Sequence, residues 1–503
     1  MAFAYHRLPQ MSASSSYSQL PPEFAIDSDE DSDIPGVASR ISLKNEHALL
    51  STTEKRPKIS KFVFGNKTRL LIMVLLLFGL TLLQINSITF NFTVICMNGL
   101  AEDHHAQNRS GMHWIESSTY KSFIFSSTAV GAVVGLIPSV PLISKLGIRR
   151  LLTGSGILSA LGSVLFPLAA DHSYYLVIFC RFLQGLGISN LFTVVGVIPG
   201  IWAPINETGT FLAVLSCAFQ LSVIVCMPVS GILCESQLGW RSIYYIFGVL
   251  TLVTYSLFYI FYKDSPRLHR NVSEKELIEI EDGKLETKTR HVPYWAICTD
   301  LTVLMAWLSV LGGNIGFTIL TLYGPTYLKD VLHFDVKETG FATALPFVLS
   351  ALLKFAAGRL SDKMSHLTEK TRFTFCAVLS QASVVVGLVV MALTSNHNLA
   401  QFAYTFAITS SGLNIVGNVK CLQLRCREYV HFAISVVSFC AYLIHFGAPL
   451  LVGLLTSSSE NTEKNWSRLF LIVSAITVVT NVPFPFLTSE EPGPFFESLK
   501  KPV

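Results

Sequence analysis

The chemistry of this chain is concentrated at Arg181. It stands near the start of an apolar stretch from Tyr175 to Glu207, about the length of a membrane span. Gln184 follows three residues later, and Gly185, Gly187, Ser189, Gly196 and Gly200 trail behind. A guanidinium offers a planar fork of donors that matches carboxylate or phosphate. Gln184 falls on the same helical face and can orient that fork or touch a ligand. Two readings of Arg181 stay open: a side chain snorkelling to the interface, or a charge facing a partner or a water-filled path. Small residues at this spacing let helices approach closely inside lipid.

Asn314, among Gly312, Gly313 and Gly316, is either a polar cavity ligand or a tie between helices. His445, in the run AYLIHFGAPLLVG, either titrates near neutral pH or is a neutral histidine bonded between helices. Lys354 and Lys420 lie near span ends and read as snorkelling or structural lysines. His104 and His105 have no partnered nucleophile, and no metal-ligand spacing is present. There is no phosphate-cradling GxxxxGK[ST] loop either. An enzyme, a metal site and direct nucleotide hydrolysis are therefore not expected.

The elements that position these residues follow from composition. The 503 residues are 51% hydrophobic and only 14% charged, against about 25% charged in a soluble domain. The expected fold is an all-α polytopic membrane protein with twelve transmembrane helices in two six-helix bundles. The net charge of +4 implies no nucleic-acid partner, because basic residues collect in loops on one side of the bilayer. Most of the ten cysteines lie in apolar segments, so they read as core residues rather than a disulfide framework.

Residues 1–60 are polar and carry the acidic run Asp27 to Asp33, so they read as a disordered cytoplasmic tail. Tyr5 to Leu8 and Tyr17 to Leu20 resemble tyrosine-based sorting signals, which would engage sorting adaptors. The first bundle is expected over 61–262, with spans near 69–96, 119–143, 151–170, 175–200, 208–233 and 241–262. A cytoplasmic linker with a short helix follows over 263–300, its start marked by the capping box Ser273 to Glu276. The second bundle is expected over 301–490, with spans near 301–328, 338–358, 371–394, 399–420, 430–456 and 468–488. Residues 491–503 form a second cytoplasmic tail. The basic patch Lys61 to Arg69 places the N-terminus in the cytoplasm. Asn108 and Asn465 are then glycosylation candidates in outer loops, whereas Asn66, Asn206 and Asn271 begin sequons on the cytoplasmic side.

The two halves repeat each other. After the eighth span stand Gly358, Arg359, Leu360, Asp362 and Lys363. After the second, the matching loop keeps Gly147, Arg149 and Arg150 but has Val140 and Ser144 in place of glycine and aspartate. These loops resemble the GxLxD[RK] motif of the major facilitator superfamily. The resemblance implies a gating role for Gly358, Arg359, Asp362, Lys363 and Arg149, as a latch released in one of two states. The basic residues are equally explained by membrane topology.

Arg181 to Gly187 with Trp202, Ala203, Pro204 and Glu207 resembles the fourth span of anion symporters, the group of sialin, the vesicular glutamate transporters and the sodium/phosphate cotransporters. Pro228 to Gly231, Gly239 to Arg241, Asp264 to Pro266 and Pro325 to Asp330 agree in order and spacing. The resemblance implies ion-coupled or potential-driven transport of a small organic anion or phosphate by alternating access. Its partners would be the lipid bilayer and an anionic substrate. No cofactor is implied beyond a coupling ion, sodium or proton. The substrate residues would be Arg181, Gln184, Asn314 and His445, in the plasma membrane or an endolysosomal membrane.

This chain departs from the group at two positions. Thr89 stands where the first span usually has an arginine, and Ile188 where the fourth often has a proton-coupling glutamate. A second reading is thus a sensor or partner protein that keeps the fold without transport.

Overall fold

A computed structural model describes residues 64–97, 99–106, 113–282, 292–363, 367–456 and 462–494. The sorting motifs and Asn108 lie outside the described residues. Apolar runs dictate the architecture, because backbone polar groups inside lipid must be satisfied within each segment. Span 1 is Thr68–Thr93, span 2 Ser118–Leu136, and span 3 the greater part of Ser139–His172. Span 4 joins Tyr174–Ile188 to Leu191–Trp202, span 5 joins Thr208–Ser216 to Ala218–Glu235, and span 6 is Gly239–Phe261.

In the second half, spans 7, 8 and 9 are Leu301–Asp330, Val336–Lys363 and Glu369–Leu393. Span 10 is His397–Ser411, continued through a π-turn at Ile415–Val419 into Lys420–Cys426. Spans 11 and 12 are Val430–Leu455 and Thr462–Asn481. Ten of these are long and apolar enough to cross a membrane, and spans 2 and 10 complete six per half. Side-chain caps start several helices: Ser117 accepts from the Tyr120 amide, Asp300 from Val303 and Thr368 from Thr371.

The side bearing the connection between spans 6 and 7 is here the linker side, and the opposite one the far side. Spans 2 and 4 touch backbone to backbone. A Cβ at Gly185 would sit 2.1 Å from the Thr128 carbonyl oxygen, and one at Gly131 would sit 2.2 Å from that of Phe182. Gly196 and Gly200 differ from expectation, since a Cβ at either meets nothing within 4 Å.

The apolar core is shared unequally. Its largest cluster runs through both halves on the far side, joining Phe90 and Phe125 to Tyr323 and Trp466. Toward the linker side it divides into a cluster of first-half residues around Leu76, Trp202 and Phe258, joined by Tyr442 of span 11, and a second-half cluster around Phe373, Cys421 and Phe484. Cross-half contacts occur at both levels, with Lys354 of span 8 bonded to Ser216 of span 5 toward the linker side. On the far side Ser118 bonds Thr456 at 3.1 Å, Ser126 donates to the Phe446 carbonyl at 2.8 Å, and Glu235 accepts from the Lys337 amide at 2.8 Å.

Cys96 and Cys234 correct the reading of the cysteines. They form a disulfide with a Cα–Cα distance of 6.2 Å, joining the far-side ends of spans 1 and 5. They stand 138 positions apart in the chain, and only the packing of the two spans shows that they meet.

On the linker side each half closes with ion pairs at corresponding places but with opposite polarity. In the first half Arg69, opening span 1, holds Glu207 through Nε and Nη2, both at 3.0 Å. It also reaches Glu279 on the linker helix Glu274–Glu281 at 2.8 Å. In the second half Asp300, capping span 7, accepts from Arg425 at 3.0 and 2.5 Å. Arg425 also donates to the carbonyls of Glu491 and Pro492 after span 12. Only half of the expected capping box forms: Ser273 accepts from the Glu276 amide at 3.1 Å, while the Glu276 carboxylate turns to the Arg69 amide of span 1 at 2.9 Å.

His269 fixes the linker against span 6. Its Nε2 donates to the Phe261 carbonyl at 3.1 Å, while Nδ1 accepts from the Asn271 amide at 3.2 Å. That arrangement requires neutral imidazole, and burial pushes its pKa below the usual histidine value. The stabilising contribution is therefore present above pH about 6.5 and lost as pH falls through the lowered folded value. Limited proteolysis of the linker should accelerate below that pH in the wild type. A His269→Gln protein should lose the pH dependence of the cleavage rate.

Candidate functional site

Arg181 does not snorkel. It is 1% exposed, in the interior of the first bundle. Its Nη1 donates to the Ser87 carbonyl at 2.8 Å and to Gln184 Oε1 at 2.6 Å. The guanidinium carbon lies 5.2 Å from the centre of the Phe90 ring. Gln184 in turn donates to Ser163 Oγ at 3.0 Å, so its amide is oriented from behind. Nε finds no hydrogen-bond partner, and no carboxylate pairs with the guanidinium among the described residues.

The helices around Arg181 supply polar groups where apolar residues would suffice. Asn86 bonds Ser159 and Thr251 at 3.1 and 3.0 Å, and Thr93 pairs with the Tyr244 hydroxyl at 2.7 Å. Asn91 is fully buried with neither amide atom bonded. A buried cation costs several kcal/mol, on the order of its desolvation, unless an opposite charge compensates it. Here the protein contributes only neutral acceptors. The geometry therefore suits a visiting anion, which would supply the missing charge.

The other expected residues are not gathered around Arg181 by any described contact. Asn314 is half-buried in span 7 and makes no hydrogen bond among the described residues. His445 is half-buried in span 11, and its Nδ1 bonds the Ala441 carbonyl of its own helix at 2.8 Å, not a neighbouring span. Thr89 folds back to the Ile85 carbonyl, and Ile188 offers its carbonyl to the Tyr442 hydroxyl at 3.2 Å. Asn465 is only 5% exposed in the first turn of span 12.

The motif loops are placed differently in the two halves. Arg149 is held within its own half: its amide donates to Asp264 Oδ1 at 2.8 Å, and Nε to the Tyr259 carbonyl at 2.7 Å. Gly147 adopts φ +77°, and a Cβ there would lie 2.4 Å from the Asp264 carboxylate. Asp264 thus supplies a carboxylate to the loop through the Arg149 amide and beside Gly147. In the second half the helix backbone continues to Lys363, and the side chains of Gly358, Arg359, Asp362 and Lys363 lie outside the described residues.

Two lysines also separate. Lys420 pairs with Glu369 at 2.8 Å and is structural. Lys354 is not the snorkelling residue expected: it is 5% exposed and donates to Ser216 Oγ of the opposite half at 2.8 Å. The π-turn of span 10 carries Asn418, which donates to Ser309 of span 7 and to Asn414.

Known proteins agree with this architecture. Human (Homo sapiens) sialin is 27% identical over 399 residues, covering 77% of this chain and 79% of that protein. Mouse (Mus musculus) sodium-dependent phosphate transport protein 1 is 26% identical over 463 residues, covering 86% and 95%. The crystal structure of the D-xylose-proton symporter superposes with a TM-score of 0.66 at 13% identity, covering 83% of this chain and 98% of that one. A bacterial homolog of the human lysosomal transporter Spinster, inward-facing and unoccupied, gives 0.64 at 13% identity, covering 84% and 98%. These two structures speak for the fold. The profile of the Major Facilitator Superfamily matches residues 74–449. Twelve helices in two halves of six belong with that match, and the chain is a member of the major facilitator superfamily.

Proposed function

We propose that this chain is a secondary transporter of small anions, organic anion or inorganic phosphate, working by alternating access between its two bundles. The observation that carries this reading is Arg181, a buried guanidinium with no carboxylate partner among the described residues. The names of the relatives support an anionic substrate. The joined far side and the split linker-side core suit a state that opens toward the linker side.

Among the described residues no carboxylate lies in the middle of a span. A coupling proton would have to ride on His445 or on the substrate, so this residue set favours a sodium gradient or the membrane potential. Disulfides persist in oxidising compartments, and the Cys96–Cys234 bridge favours a far side turned away from the cytosol. Both termini would then be cytoplasmic, in the plasma membrane or an endolysosomal membrane, with the tail open to sorting adaptors.

The test is uptake by the purified protein in liposomes. Labelled phosphate, urate, glutamate and sialic acid are offered in turn under sodium, proton and voltage gradients. Uptake of one anion under one gradient is the expected result. No uptake of any, from folded protein, overturns the reading in favour of a sensor or partner protein.

A further inference from the structure

Among the described residues Lys354 is a second buried cation of the membrane interior, and it belongs to the other half. It is 5% exposed in span 8, and its ammonium donates to Ser216 Oγ of span 5 at 2.8 Å. No carboxylate pairs with it among the described residues, although Lys420 in the same bundle has Glu369. A hydroxyl is a neutral partner, so Lys354 shares the deficiency of Arg181: a charge out of water and uncompensated. Ser350, one helical turn deeper on the same face, is also buried.

The two cations sit at different depths. Arg181 lies in the far-side half of its span and Lys354 in the linker-side half of its own. At 1.5 Å of rise per residue they differ in depth by roughly 15 Å. The Lys354 bond crosses between the bundles on the side where the apolar core is split. A structural tie at that place needs no charge, and two hydroxyls would serve.

We propose that Lys354 is a second anion-binding position, at the linker-side mouth of the path, with Ser216 as its resting partner. This rests on the anion-transport reading above. An anion on the linker side displaces the serine hydroxyl from the ammonium and passes between Lys354 and Arg181. The ligand class is a small carboxylate or phosphate, able to accept several hydrogen bonds. An ammonium is a point charge with three rotatable donors, suited to brief capture and release.

The experiment compares the wild type with Lys354→Gln, Lys354→Arg, Ser216→Ala and Arg181→Ala in liposomes, using the same four labelled anions. Lys354→Gln is expected to raise KM tenfold or more for anion presented on the linker side, with a smaller effect from the far side. Lys354→Arg should restore KM to within about threefold. Ser216→Ala should lower it, because the ammonium no longer leaves a hydroxyl.

A wild type that transports, with KM unchanged in Lys354→Gln, overturns this proposal and leaves the anion reading standing. So does Ser216→Ala raising KM in parallel with Lys354→Gln, which marks a structural tie. No uptake by the wild type removes both readings. Should Lys354→Gln fail to fold, alkylation of a Ser216→Cys protein decides. Slowing by the transported anion supports the site, and an unchanged rate overturns it.

Discussion

An Arg181→Ala protein is expected to fold and reach the membrane, yet to take up none of the anions that the wild type carries. The guanidinium is the charge that would meet a substrate in a site 1% exposed. Removing one member of a desolvated charge pair costs about 2–5 kcal/mol, so uptake should fall by at least about 30-fold. Stability should move the other way or not at all. No protein carboxylate pairs with Arg181 among the described residues, so its removal orphans no charge and relieves a desolvation cost. Arg181→Lys keeps the charge but loses the fork that reaches Ser87 and Gln184 together, and should retain partial uptake. Uptake and thermal melting measured on the same preparations check the pair of effects. Wild-type uptake by Arg181→Ala would sink the assignment.

The opposite pattern is expected at Arg425. Its two bonds to Asp300 join side chains only 13% and 4% exposed, and it also gathers the carbonyls of Glu491 and Pro492. Arg425→Ala leaves the Asp300 carboxylate buried without its partner, at a cost of about 3–5 kcal/mol. A large drop in melting temperature should follow. Adding Asp300→Asn should recover part of it, since asparagine is neutral and still caps the start of span 7. If Arg425→Ala melts with the wild type, the pair contributes nothing to stability.

What was legible in the sequence was whatever acts over one helix. Apolar runs located the spans, Ser273 and Glu276 marked the start of the linker helix, and Arg181 stood out as a charge within an apolar stretch. What was hidden depends on which helices touch. Lys354 lies within reach of the interface by residue count, and only the approach of span 5 shows that its ammonium stays inside. Cys96 and Cys234 meet through the packing of spans 1 and 5. Arg69 read as one more basic residue before a span until Glu207 and Glu279 closed on it. His445 shows the limit from the other side: a polar residue deep in a span can be satisfied by its own helix, a turn earlier.

The reversed polarity of the two linker-side clamps bears on how a duplicated chain assembles. Each bundle offers the segment after its sixth span an equivalent docking place, so the segments could in principle exchange. Charge makes the two places unlike. The linker helix, swung onto the second bundle, would bring Glu279 up to Asp300, carboxylate against carboxylate. Juxtaposed like charges repel, and because Glu279 is half-exposed the screened cost is about 1 kcal/mol or less. The first bundle precedes the second in the chain and holds the linker helix through Arg69 and Glu279. The second bundle presents Asp300 at the matching place, a poorer partner for Glu279 than Arg69. Opposite charges at matching positions thus make the two docking places of a duplicated architecture distinguishable.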